Sequence, residues 1–96
     1  MSAYVIRSGD RAAFLAGLQE LVDFLASNPA VVVPRHASVA VLVDANDSAA
    51  RRDGVESVAV PLGVPAEDLG QGYFDARREF GLITYVVVAI PPKERQ

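Results

Sequence analysis

From Arg11 to Leu25 the large apolar residues return at helical intervals. Phe14, Leu18, Leu21, Val22 and Leu25 stand three or four apart, and Leu15 widens the stripe. Arg11, Gln19, Glu20 and Asp23 fall largely on the other side. Asp10 precedes the run as an N-cap, because its carboxylate can accept from the free amides of a first turn. Asn28-Pro29 ends it, since proline disfavours helical backbone at the residue before it. Gly17 costs this helix roughly 1 kcal/mol relative to Ala and is either tolerated or admits close contact with a sheet. Phe24, off the stripe, is a candidate for a second contact surface.

The period then changes to two. In Ser38 to Asp44, Val39, Val41 and Val43 share one face and Ser38, Ala40 and Leu42 the other. Both faces are apolar for most of their length, as in a central strand. Pro34 separates this strand from Val31–Val33, a short extended edge segment, and Tyr4 to Arg7 is a candidate extra edge strand. The "DANDS" stretch is turn chemistry, with Asp47 or Ser48 as the cap of a second helix. Val55, Val58, Ala59 and Leu62 give that helix its stripe, opposed by Gly54 and by Pro61, which predicts a helix over Ser48 to Ala59. "LGVPAEDLGQG" then reads as a loop. "YFDARREF" and "LITYVVVAI" are strand runs meeting at Phe80-Gly81, a hairpin signal, and Pro91-Pro92 stops the second run.

These elements predict an α+β fold: a three- to four-stranded mixed sheet with two helices on one face, in the order helix, strand, helix, β-hairpin. A right-handed crossover through the second helix would join the first strand to the penultimate one. One domain covers residues 1–96, with 1–3 and 92–96 expected to fray.

Composition narrows the function classes. An apolar fraction of 51% and a charged fraction of 22% suit a folded globular domain. No apolar run approaches the roughly 20 residues that span a bilayer, and the N-terminus lacks the pattern of a secretory signal, so a cytoplasmic protein with no membrane partner is expected. Without cysteine there is no thiolate chemistry and no Cys-based zinc site. A net charge of −3 argues against bulk electrostatic binding of nucleic acid.

Candidate chemistry is sparse. Asp44, Asn46 and Ser48 start like a calcium loop, but Ala49 and Val55 stand where such a loop needs glycine and glutamate. His36 is the single histidine, and no nucleophile elbow or Gly-rich phosphate loop is present. No cofactor and no metal is expected, and the chain leans away from enzymes. The Arg51-Arg52 and Arg77-Arg78 pairs are candidate anion contacts, set against a plain role in solubility and edge protection.

The early helix ending in Asn28-Pro29 with Phe24 inside it, and the late strand carrying Phe80, Gly81, Thr84, Tyr85 and Ala89, make the chain resemble a group of small uncharacterised proteins of actinobacteria and their phages. The resemblance covers most of the chain, rests on packing and turn residues, and implies an α+β fold and no known activity. Pro61 departs from the continuous second helix expected of that group.

Two short helices cannot cover both faces of such apolar strands. The leading expectation is therefore a non-enzymatic protein-interaction module that self-associates as a homodimer through an apolar sheet face, with Tyr85, Val87 and Ala89 as interface residues. A further protein partner is compatible with the same reading. One alternative is a small-molecule binder with a pocket between sheet and helices, drawing on Tyr73, Tyr85, Phe74 and Phe80 as walls and Arg78, Arg51 and Arg52 as anion contacts. Another is a regulator that contacts DNA or a DNA-binding partner through the arginine pairs.

Overall fold

The computed structural model describes residues 3–92, so the expected fraying at 1–3 and 92–96 falls almost wholly outside the described residues. The order of elements is β1 (Val5–Ile6), α1 (Arg11–Ser27), β2 (Ala37–Asp44), α2 (Ser48–Leu62), β3 (Glu67–Gly70), β4 (Tyr73–Phe80) and β5 (Ile83–Ala89). The fold is α+β, as the alternation of periods predicted. The sheet, however, has five strands, in the order β1-β2-β5-β4-β3.

The extra strands come from both ends of the expected sheet. Val5 and Ile6 pair antiparallel with Asp44 and Val43, which makes part of the Tyr4–Arg7 candidate an edge strand. Glu67–Gly70, read as loop, pairs antiparallel with β4 across an irregularity between Asp68 and Gly70. Its composition hid it, because a four-residue, fully exposed edge strand has no apolar alternation to reveal. Val31–Val33 joins no strand. The predicted crossover also lands elsewhere. After α2 the chain runs to the far edge and returns through β3, β4 and β5, so β2 lies parallel to the last strand rather than the penultimate one.

α2 covers one face of this sheet. Val55 and Ala59 meet Val43, Phe74, Ala76, Val87 and Ala89 in the buried core. The register puts Val43, Val87, Ala76, Ala89 and Phe74 on that same face, because Val43 pairs with Ala89, Val41 with Val87, and Val87 in turn with Ala76. The approach is close. A Cβ on Gly54 would come within 2.5 Å of the Val43 Cγ1 and 3.1 Å of the Tyr4 ring, so the residue that weakened α2 in sequence is what lets it lie on β2. Pro61 does fall inside the helix, which runs three residues past its predicted end. It is tolerated because it stands one residue from the C-terminus, where its missing N–H removes a single bond before Gly63 caps the helix by donating to Ala59 and Val60 carbonyls.

α1 forms where predicted. The Asp10 carboxylate accepts from the Ala13 amide at 3.0 Å, and the Asn28 side chain donates to the Phe24 carbonyl at 2.8 Å at the other end. Its position differs from expectation. The two helices do not share a sheet face, because α1 contributes no buried residue at all. The radius of gyration is 15.6 Å, whereas a compact chain of this length has about 12.5 Å.

Candidate interaction surfaces and a cleft at the strand ends

The apolar stripe that defines α1 is open to solvent. Phe14, Leu15, Leu18, Leu21 and Val22 are each between 39% and 57% exposed, as is Phe24 off the stripe, and Leu25 is partly exposed. Among the described residues nothing lies within 4 Å of where a Cβ on Gly17 would stand. The sheet face opposite α2 is the second uncovered surface. By register it carries Val5 from β1, Ala40 and Leu42 from β2, and Val86 and Val88 from β5. Val5 and Leu42 are 64% and 38% exposed, and Val86 and Val88 are half-buried by their neighbours alone. Around this patch the same face becomes polar, with Arg7 paired to Asp44 and Arg77 donating to the buried Asp75 at 2.6 Å. The bond to Asp75, and then its charge, hold the Arg77 guanidinium above its ordinary pKa, so it stays cationic at any physiological pH.

The residues expected to form the interface divide between the two faces of the sheet. Val87 and Ala89 are fully buried beneath α2 and belong to the intrachain core, which corrects their assignment to an exposed interface; Tyr85 stays partly accessible. Helix α2 claimed one face of β5, and the free face is the one with Val86 and Val88. A strand apolar on both sides does not announce which side its own helix will take.

Of the residues expected around a ligand pocket, Phe74 and Arg52 border a small open cleft between α2 and β3, whereas Tyr73 lies at the start of β4 and Phe80 is exposed at the hairpin end beside Ile83. The Arg78 guanidinium sits over the Phe80 ring at 5.0 Å and donates to the Leu62 carbonyl. Arg52 lies over Phe74 at 5.3 Å and reaches Asp68 at 3.5 Å. The arginine pairs are thereby split, each member turned to a different partner.

Arg51 is the exception among them. It is 94% buried, since only 6% of its surface is exposed, and its Nε donates to the Gly72 carbonyl at 2.8 Å and its Nη1 to the Ala45 carbonyl at 3.0 Å. It borders an open cleft of about 870 Å³ with Asn46, Ser48, Gln71, Gly72, Pro91 and Pro92. The β3–β4 turn fits over it because Gly72 is a glycine at φ 87°, with the Arg51 Nη2 only 2.8 Å from where a Cβ would be. Sequence reasoning named Arg51 with Arg52 as candidate anion contacts and did not distinguish the two. Its spacing held the signal: four residues before Val55, it shares the buried stripe of α2. Among the described residues no group of three His, Cys, Asp or Glu is placed to hold a metal ion, and no helix is long and apolar enough to cross a membrane.

Comparison with protein-family models, with curated proteins and with solved structures finds no match to this chain.

Proposed function

We propose that this chain is a non-enzymatic interaction module that works as a homodimer, with α1 of each copy laid on the open sheet face of the other. The observation that carries the reading is α1 itself, a capped amphipathic helix whose apolar stripe has no buried residue and is mostly open to solvent. An isolated helix of this length is marginal in water, and in folded proteins such helices draw their stability from a packed apolar face.

The surface area supports a partner of substantial size. The accessible surface is 6947 Å², against about 5,300 Å² for a compact monomer of this mass. The difference is about 1,600 Å², and about 800 Å² remains when the six residues outside the described range are taken as fully extended and left out of both figures. A stable interface takes roughly 800 Å² from each partner. A second copy is favoured as that partner because one chain carries both halves of the contact, an uncovered helix stripe and an uncovered sheet patch, and a two-fold axis satisfies each twice. A lipid surface is disfavoured by the far side of α1. That side offers Arg11 against Glu20 and Asp23, where helices that lie on membranes carry a basic polar face.

Sedimentation of the full chain with and without Leu18→Glu plus Leu21→Glu tests the reading. The native chain should sediment at twice the 10.2 kDa chain mass at micromolar concentration, and the double variant at once that mass with the circular dichroism of the sheet retained. A native chain that is monomeric throughout removes the self-association.

A further inference from the structure

The cleft beside Arg51 has features that the dimer reading leaves unused. Its arginine is a buried cation without a counter-charge: no carboxylate among the described residues lies within ion-pair reach of it. Of the five N–H groups on a guanidinium, two are committed to the Gly72 and Ala45 carbonyls. The two on Nη2 are not sealed away, because no fully buried side-chain nitrogen or oxygen among the described residues lacks a hydrogen-bond partner. The Nη2 edge therefore opens into the cleft that Arg51 borders. Carbonyl dipoles offset only part of the cost of burying a charge, and a bound anion would supply the remainder.

The position of the cleft points the same way. It lies past the C-terminal ends of β2 and β5, the parallel pair, where Asn46 follows β2 and Pro91 and Pro92 follow β5. In sheets with parallel strands, ligands bind in the crevice outside those ends. Asn46, Ser48 and Gln71 bring neutral hydrogen-bonding side chains to the same space, and its volume falls within the range of small-molecule sites. The nearest cap carboxylate, Asp47, is turned to the first turn of α2, where it accepts from the Ala50 amide at 2.8 Å.

We propose that this cleft binds the oxyanion group of a small molecule, a phosphate or a carboxylate, with Arg51 as its charged anchor and Asn46, Ser48 and Gln71 as neutral partners. A planar guanidinium edge suits either group, since both accept paired N–H donors. The site stands apart from α1 and from the open sheet face, so it is independent of the assembly reading.

The test titrates the native chain with inorganic phosphate and, separately, with acetate, at constant ionic strength held by sodium chloride. Melting temperature and the amide resonances of Ser48, Gln71 and Gly72 are followed. Saturable shifts below about 10 mM, enough to fill a site with a Kd near 1 mM, are expected for at least one of the two anions. A response to phosphate alone assigns a phosphate ester, to acetate alone a carboxylate, and to both the shared oxyanion chemistry. Because Arg51 also ties the β3–β4 turn to α2, the matched variant is Asn46→Asp at the exposed rim. It should keep the fold and weaken binding tenfold or more. No saturable shift with either anion, or equal shifts in Asn46→Asp, would overturn the proposal whatever the sedimentation result.

Discussion

The two helices of this protein are close in length, 17 and 15 residues, and each is capped by an aspartate that accepts from the amide three positions on. In sequence α1 is the better helix by every pattern: a continuous stripe of leucine, valine and phenylalanine opposite charged residues. α2 has a glycine in its middle, a proline near its end and a stripe of small residues. Yet α2 supplies Ala50, Val55 and Ala59 to the core, while α1 buries nothing. Small residues are what permit α2 to lie close to the sheet, as Gly54 against Val43 shows. The large residues of α1 find no such close seat in their own chain, since none of them is buried. A strong amphipathic signal thus does not state that a helix's own chain will bury it.

Substitutions can separate the two helices, and the largest effect belongs to α1. Leu18→Glu with Leu21→Glu should weaken dimerisation at least about 100-fold, roughly 2.7 kcal/mol, read as the dissociation constant in sedimentation equilibrium. Leu42→Glu on the open sheet face should reproduce that loss, whereas a charge at the exposed Val60 of α2 should leave the constant unchanged. Val55→Ala in α2 should act on folding instead, costing about 2 kcal/mol in urea denaturation, because a fully buried side chain is cut back in the core. The glycines give the sharpest contrast. Gly54→Ala should destabilise by about 1 to 3 kcal/mol through overpacking against Val43 and Tyr4. The same change at Gly17, where nothing lies within 4 Å, should stabilise by up to about 1 kcal/mol. Equal signs at the two glycines would contradict the difference in packing.

Much of the secondary structure was legible because it rests on local chemistry. The Asp10 and Asp47 caps, the helical stripe of α1, the alternation in β2 and the hairpin at Phe80-Gly81 are read from neighbours in sequence. What escaped depends on distant partners. The edge strand β3 is held by β4 and not by a pattern of its own. The parallel pairing of β2 with β5 arises from the path of a three-strand meander. Pro61 inside α2 depends on its distance from a helix end that Gly63 defines. The candidate sites divide in the same way. That the apolar surplus exceeds what two helices can cover is readable from composition, but the face left bare is not, so the sequence pattern puts Val87 and Ala89 on the wrong side. Arg51 is visible as a cation, and its burial emerges only once α2 is seated on the sheet.

Hydrogen exchange measured across a dilution series tests most directly whether a second copy covers α1. The amides of α2 should hold their protection at every concentration above the unfolding limit. The amides of α1 should be protected in concentrated protein and lose that protection together on dilution, at the concentration where sedimentation shows the dimer dissociating. Protection of α1 that is the same in dilute and concentrated protein would contradict this, because the helix would then owe its stability to its own chain.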